Sequence, residues 1–222
     1  MKLLLLGGTA DGRNLATQLH KQGISVIYSI AGLVRIPKVD CEIVVGGFTQ
    51  FGGLTNYIQK ENITAILDVT HPYALQMSTQ AINSARESNI PCWRFHRPAW
   101  MKQPGDTWFE YSSWNELLEA LKQKKSVFFT VGQLGEKLLP VLQTYQSSGQ
   151  QQLLRTAVKP KFDLPGEMKW IKAIGPFTQE DEGQLLDNYK IDVLVSKNSG
   201  GFSTSAKLDA ARERAIPVFM IQ

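Results

Sequence analysis

A glycine-rich segment near the start of the chain has the residue types that hold a phosphate group. Four leucines at residues 3–6 lead into a helical pattern through a turn that contains Gly7, Gly8, Thr9, Gly12 and Arg13. Glycines let the backbone approach a pyrophosphate closely, and amides at the following helix N-terminus face its charge. Thr9 replaces the middle glycine of the Gly-x-Gly-x-x-Gly pattern. The segment predicts dinucleotide or phosphate binding; a tight turn in another kind of α/β protein is the alternative.

The residues after the second predicted strand favour a phosphorylated dinucleotide. An NAD site usually has an acidic residue about 20 positions after the glycine turn, but residues 13–39 contain neither Asp nor Glu. The second predicted strand ends at Ser29, and Arg35 and Lys38 follow it at positions from which they could contact a ribose 2′-phosphate. We therefore predict NADPH rather than NADH, with Ser29 and Arg35 in the cofactor site; a solvated Arg35 is the alternative.

A second group of polar residues follows a predicted buried strand at residues 64–68. Asp68, Thr70, His71 and Tyr73 supply a carboxylate, a hydroxyl, an imidazole and a phenol. Because such groups can transfer protons to a bound substrate, we assign Asp68, His71 and Tyr73 to catalysis and Thr70 to cofactor binding. The alternative is that these residues cap and pack the helix that follows.

A third segment, residues 195–207, again reads as a strand, a glycine turn and a helix start. Backbone amides, hydroxyls and two lysines converge there, an arrangement suited to an anion. Turn formation and capping explain the serines and glycines equally well, but they do not explain the first lysine. The residues predicted to bind are Lys197, Ser199, Gly200, Gly201 and Lys207.

The composition is that of a soluble globular protein. The chain has 222 residues, 43% of them hydrophobic and 20% charged, with a formal net charge of +4. The leucine run is shorter than the ~7–15 residues of a secretion signal, and no run of ~18 apolar residues could span a membrane. Cys41 and Cys92 are isolated, which argues against zinc and for a reducing compartment. We expect a cytoplasmic protein whose mild positive charge attracts a small polyanion rather than nucleic acid.

Short apolar runs alternate with amphipathic stretches along much of the chain. The strand candidates are residues 2–6, 24–29, 42–45, 64–68, 91–95, 126–130, 192–196 and 217–221. Helical spacing marks residues 13–21, 74–87, 114–122 and 204–214. This alternation predicts an α/β fold with mostly parallel, doubly wound sheets.

The alternation is interrupted at residues 97–106, which contain two prolines and a glycine. We therefore predict two Rossmann-like domains, residues 1–100 for the dinucleotide and residues 106–222 completing a cleft for substrate and cofactor. Ligands of such sheets bind at the carboxyl ends of the strands. We expect a monomer or a weak homodimer.

The three segments, in this order, resemble the precorrin-6A reductase family, including its cobalt-precorrin members. Further matching elements are Ala31-Gly32, Gly46-Gly47-Phe48, Arg97-Pro98-x-Trp100 and Gly175-Pro176-Phe177. The chain departs from the family pattern at several positions, among them Val69, Tyr73 and Asn198. Leu33 stands where an arginine commonly follows the Ala-Gly pair, which leaves Arg35 as the substitute contact for a 2′-phosphate.

The resemblance implies NAD(P)H-dependent reduction of a double bond in the precorrin-6A macrocycle, with no metal or flavin. The protein's task is then to position cofactor and substrate and to supply charge. The substrate carries many carboxylates, which guanidinium groups hold by two bonds. The arginines expected to bind them are Arg94, Arg97 and Arg155.

Two other classes of function remain open at this stage. A non-catalytic NADPH-sensing regulator could share the fold, although it would not need the anion-binding segment at residues 195–207. A short-chain reductase acting on another small substrate requires a Tyr-x-x-x-Lys pair, and the chain contains none.

Overall fold

The computed structural model describes residues 1–32, 36–132 and 134–222. Within them the chain divides into two compact units, Met1–Arg97 and Pro98–Gln222. No helix in the described ranges is long and apolar enough to cross a lipid bilayer.

Among its described residues, the first unit forms a five-stranded parallel sheet in the order β3-β2-β1-β4-β5. The elements in chain order are β1 (Lys2–Leu6), α1 (Ala10–Lys21), β2 (Ser25–Ile30), β3 (Glu42–Val45), α2 (Leu54–Lys60), β4 (Ala65–Asp68), α3 (Leu75–Glu87) and β5 (Cys92–Arg94).

The leucine run forms the central strand β1 because both of its faces are covered. Leu3 and Leu5 pack on the side of α1, whereas Leu4 and Leu6 pack on the side of α2 and α3. Side chains of a strand alternate between the two faces, so a strand buried on both sides reads as a continuous apolar run.

Among its described residues, the second unit forms a six-stranded parallel sheet in the order β6-β11-β10-β7-β8-β9. Helices α4 and α5 cover one face, and α6 and α7 cover the other. The elements are β6 (Trp108–Tyr111), α4 (Trp114–Leu121), β7 (Ser126–Phe129), α5 (Leu139–Ser147), β8 (Gln151–Thr156), β9 (Lys169–Lys172), α6 (Gln179–Asn188), β10 (Val193–Lys197), α7 (Ala206–Glu213) and β11 (Val218–Ile221). The predicted α/β class with parallel sheets is confirmed.

Each sheet contains a point at which the strand order reverses. In the first unit it lies between β1 and β4, because the chain runs outwards from β1 to β2 and β3 and then returns to β4. In the second unit it lies between β7 and β10. Open α/β sheets bind ligands outside the carboxyl ends of the strands at such a point. All three segments predicted to carry chemistry follow one of these strands.

Two glutamines help to hold the opposite, amino-terminal end of the second sheet, where Asp192 also accepts the Lys125 and Ser126 amides at 2.8 and 3.1 Å. Gln150 Nε2 donates to the carbonyls of Leu121 and Lys124 at 2.8 and 2.9 Å, and Gln152 Nε2 donates to the Leu142 carbonyl and to Gln150 Oε1 at 3.0 and 2.8 Å. A polar pocket of about 510 Å³ lies at this end, lined in part by the first residues of β7, β8 and β9. Buried amides that are bonded in this way do not incur a desolvation penalty.

Candidate active site

The loop between β1 and α1 is closed by Thr9, which caps the helix. Thr9 Oγ1 accepts a hydrogen bond from the Gly12 amide at 3.0 Å and donates one to the Val69 carbonyl at 3.0 Å. The first bond satisfies an amide of the helix start, and the second joins the loop to the residues that follow β4. The predicted phosphate turn and the predicted acid–base segment are therefore neighbours.

Tyr28 of β2 explains the first of the two glycines at the start of this turn. A Cβ on Gly7 would lie 1.9 Å from Cε2 of Tyr28, so no side chain fits there. The Gly8 amide donates to the Tyr28 hydroxyl at 3.2 Å, and burial raises the pKa of this tyrosine. Gly8 itself has a φ of +103° and is exposed, with no atom within 4 Å of the position of a Cβ. The Tyr28 side chain thus supports the turn on its buried side, while the space beside Gly8 on the exposed side is open.

The amides of Thr9, Ala10 and Asp11 have no hydrogen-bond acceptor among the residues that the structure describes. Two of them belong to the first turn of α1, where the helix dipole presents its positive end. Three unbonded amides at a helix start are suited to the oxygens of a pyrophosphate.

Three further residues, Ser29, Arg13 and Arg35, were also assigned to the cofactor. Ser29 is buried at the carboxyl end of β2, and its carbonyl accepts the Gly7 amide at 2.8 Å. Arg13 is half-buried in the first turns of α1. Arg35 lies outside the described residues, so its contact with a 2′-phosphate stays a prediction.

Asp68 ends β4 and organises the segment that follows it. Its side chain is buried, and Oδ1 accepts hydrogen bonds from the Thr70 amide at 3.0 Å and the Thr70 hydroxyl at 2.6 Å. Its Oδ2 lies 3.8 Å from Nε of Arg94, whose Nη2 donates to the Pro72 carbonyl at 3.1 Å. The carboxylate therefore shapes the turn and orients Arg94.

His71 and Tyr73 reach the surface beside this turn. His71 Nδ1 accepts a hydrogen bond from the Tyr73 amide at 3.3 Å, and the two rings are 5.7 Å apart. Desolvation raises the pKa of Tyr73 above its ordinary value. Helix α3 begins only at Leu75, so both side chains belong to the loop and are accessible to a ligand.

In the second unit, Trp100 fixes the glycine-rich loop that follows β10. Asn198 accepts from the Trp100 amide at 2.7 Å and donates to its carbonyl at 2.9 Å. The Trp100 indole donates to the Gly201 carbonyl at 2.9 Å. Gly200 and Gly201 have φ of +63° and +81°, values that favour glycine. Together these contacts hold the loop that follows Lys197 and contains Ser199.

The basic residues of this unit are more buried than their expected role requires. Arg155 lies with its guanidinium 4.0 Å from the Phe177 ring centre and pairs with Glu182 at 2.8 Å. Neither oxygen of Glu182 accepts a well-aligned hydrogen bond from the described residues, so this contact is chiefly a charge pair. Lys207 is 4% exposed, with Nζ 5.2 Å from the Trp100 ring centre. Arg155 and Lys207 thus lie in the interior of this unit rather than on its surface.

Lys197 is half-buried at the end of β10, and desolvation lowers its pKa. Its amine is therefore less strongly hydrated than that of a surface lysine, which favours pairing with an anion.

Sequence reasoning missed three residues of the candidate site, Asp11, Tyr28 and Glu182. Of these, Tyr28 alone had a local signal, since it is an aromatic residue near the end of a strand that adjoins the glycine turn.

We predict that Lys207 makes stability rise with pH. Burial lowers its pKa to about 7, with Arg155 adding to the effect and Glu182 opposing it. Between pH 7 and the ordinary lysine pKa of 10.5 the unfolded chain binds the extra proton, so stability grows by up to about 1.4 kcal/mol per pH unit and is lowest below pH 7.

The Lys207→Met variant should lose this rise, whereas Lys172→Met, at an exposed position, should keep it. Thermal unfolding of the three proteins between pH 7 and pH 9 tests the prediction. Parallel Tm curves for wild type and Lys207→Met would contradict it.

A family model, related proteins and a solved structure each match essentially the entire length of the chain. The family model described as "Precorrin-6x reductase CbiJ/CobK" matches residues 2–222. The chain is 36% identical to a precorrin-6A reductase of Rhodococcus erythropolis, covering 100% of this chain and 88% of that protein. It is 32% identical to a cobalt-precorrin-6A reductase of Priestia megaterium, covering 99% and 89%. The solved structure "CobK precorrin-6A reductase" superposes with a TM-score of 0.87 at 32% identity, covering 100% of this chain and 88% of that one.

Proposed function

Because the chain belongs to the precorrin-6x reductase CbiJ/CobK family, we propose that it reduces a carbon–carbon double bond of precorrin-6A or its cobalt form, and that NADPH supplies the hydride. The reaction is a step of cobalamin biosynthesis. It consumes one hydride and one proton, which end on neighbouring carbons of the macrocycle.

The observation that carries this proposal is the hydrogen bond from Thr9 to the Val69 carbonyl. It keeps the three unbonded amides of the β1–α1 turn next to residues 68–73. A dinucleotide held by its pyrophosphate at the turn would place its reactive ring near residues 68–73, where several acid–base side chains follow the central strand β4. Positioning of this kind accounts for much of the rate in such reactions.

Within the cofactor site, every predicted residue except Arg13 receives a role. Gly7 permits the close approach of the Tyr28 ring, and Gly8 leaves space for the phosphates. Thr9 and Gly12 fix the helix start, while Thr70 keeps its loop in position through Asp68. Ser29 and Arg35 are assigned to the ribose and its 2′-phosphate.

The proton is assigned to His71, with Asp68 as a positioning residue. The imidazolium form of His71 would deliver the proton and be restored from solvent; in the neutral form Nδ1 accepts a hydrogen bond from the Tyr73 amide, which orients the ring. Asp68 already accepts two hydrogen bonds from Thr70 and lies near a guanidinium, so it is suited to hold the loop rather than to give up a proton.

The carboxylates of the substrate are assigned to basic groups that remain accessible. Lys197 and the amides of Gly200 and Gly201 offer one anion site after β10, in a loop whose Ser199 amide donates to the Lys197 carbonyl at 2.9 Å. Arg94, whose side chain is 44% exposed, offers another in the first unit. A planar guanidinium is suited to a carboxylate.

We expect purified protein to convert precorrin-6A or cobalt-precorrin-6A with one NADPH oxidised per macrocycle reduced. The ratio kcat/KM should be higher with NADPH than with NADH, because residues 13–39 lack an acidic partner for a free ribose hydroxyl. Arg35→Ala should narrow the difference, and Lys21→Ala, an exposed position at the end of α1, should not.

The macrocycle's absorption and NADPH oxidation, followed together, provide the measurement. Absence of turnover with both macrocycles would overturn the proposed reaction. An equal or higher kcat/KM with NADH would overturn the cofactor assignment alone.

A further inference from the structure

The structure contains an ion pair at the β1–α1 turn that neither the reaction nor the sequence motif explains. Asp11 is the second residue of α1, and Arg97 follows β5 at the far edge of the sheet, 86 positions along the chain. Arg97 Nε donates to Asp11 Oδ2 at 2.7 Å, and Nη2 contacts the same oxygen at 2.5 Å. The guanidinium side chain is only 12% exposed and the Asp11 side chain 36%.

The position of Asp11 creates a conflict between helix stability and anion binding. A carboxylate in the first turn of a helix is favourable, because it faces the positive end of the helix dipole. The same carboxylate stands beside the amides of Thr9, Ala10 and Asp11, which are proposed to hold a pyrophosphate. An unpaired negative charge there would repel that ligand.

We propose that Arg97 removes this conflict by neutralising Asp11, and so makes the turn competent to bind a dinucleotide pyrophosphate. The inference rests on the proposed cofactor site and gives Arg97 a role other than binding a substrate carboxylate. Arg97 acts through Asp11 as a positioning residue for charge. Because its side chain is mostly buried, the ion pair is screened less by salt than a surface pair.

The position of the pair in the sheet supports this role. The strand order β1-β4-β5 places Arg97 two strands away from the turn, so the chain after β5 must return past β4 to reach Asp11. A pair that served helix α1 alone would need no such distant partner, since an i,i+4 lysine or arginine on the helix could supply it. The chain after β5 thus brings the Arg97 guanidinium to the amino-terminal end of α1, where the pyrophosphate is proposed to lie.

A double-mutant cycle tests the proposal by titration of NADPH into wild type, Arg97→Met, Asp11→Asn and the double variant. Arg97→Met should raise Kd about tenfold or more, which corresponds to about 1.4 kcal/mol. Asp11→Asn should change Kd by less than about threefold, and the double variant should resemble Asp11→Asn, because removal of the carboxylate removes the repulsion. Arg97→Lys, which keeps the charge, should bind more tightly than Arg97→Met.

The penalty of Arg97→Met should also shrink as salt concentration rises, because salt screens repulsion between accessible charges. A purely structural role for Arg97 would not give that dependence. Thermal unfolding without ligand confirms that each variant is folded. Arg86→Met, which removes an exposed positive charge from α3 of the same unit, is the control and should leave Kd unchanged.

Two results would overturn the inference. One is a Kd for Arg97→Met equal to that of wild type. The other is a double variant as weak as Arg97→Met, since Arg97 would then contact the ligand itself. Failure of the proposed function has a different signature, in which wild-type protein binds neither NADPH nor NADH.

Discussion

A Gly8→Asp protein is expected to fold and to lose NADPH binding, with Kd raised at least about 100-fold, or about 2.8 kcal/mol. Gly8 has a φ of +103° and no atom lies within 4 Å of the place where a Cβ would stand. The new side chain therefore extends into the space where the pyrophosphate is proposed to lie. Its carboxylate would both occupy that volume and repel the phosphates.

Gly23→Asp is the matched control for this experiment. Gly23 lies in the turn after α1, is exposed, has a φ of +82° and likewise has no neighbour within 4 Å of a Cβ. Both substitutions introduce the same charge and a similar backbone strain of about 1–3 kcal/mol, but only Gly8 adjoins the unbonded amides. Isothermal titration of both folded variants with NADPH is the measurement. An unchanged Kd for folded Gly8→Asp would place the cofactor elsewhere.

Substitution of Asp68 should depress turnover while leaving cofactor binding intact. Asp68→Ala removes the acceptor of both Thr70 bonds and the charge near Arg94, so the loop that carries His71 loses its fixed shape. General acid catalysis contributes roughly 10²–10⁴ in rate, and we expect kcat to fall at least about tenfold. Single-turnover kinetics with saturating NADPH measure the chemical step.

Two further variants separate charge from geometry at this site. Asp68→Asn keeps an acceptor for Thr70 but loses the charge beside Arg94, so its kcat should lie between those of wild type and Asp68→Ala. His71→Ala should lower kcat if the imidazole delivers the proton, and should raise only KM if it binds a substrate carboxylate. Near-normal turnover by folded Asp68→Ala and His71→Ala would remove both from the chemical step. A loss of activity that tracks lower Tm would instead point to a purely structural role in the loop after β4.

The parts of the fold that could be predicted are those with an apolar signal of their own. Strands β1, β4, β7, β10 and β11 are central or mostly buried, and their sequences are continuous apolar runs. The search for apolar runs did not predict strand β8, because its sequence begins with Gln-Gln and ends with Arg-Thr, although most of the strand is buried. Its polar side chains are compatible with burial because bonds to distant residues satisfy them, as with Gln152 and Arg155. Edge strands β6 and β9 were also left out, because charged residues interrupt or flank their short apolar stretches.

The candidate site likewise contains residues that could be predicted from the sequence and contacts that could not. The glycine turn and the residues after β4 lie within short windows, so their types and spacing could be read directly. The contacts between Asp11 and Arg97 and between Trp100 and Asn198 join positions 86 and 98 apart. Single-sequence patterns carry no information on such pairs, because only the sheet order brings them together. For the same reason Lys207 was assigned to substrate on its type, and its burial could not be foreseen.

The bonded glutamines at the amino end of the second sheet have a consequence for how this protein can change through evolution. Gln150, Gln152 and Asp192 secure that end through hydrogen bonds to the backbone, while the loops proposed to bind ligands leave from the carboxyl end. Mutations in those loops therefore need not disturb the anchoring of the strands. A reductase of altered macrocycle preference should therefore be most readily selected from libraries confined to the loop after β10.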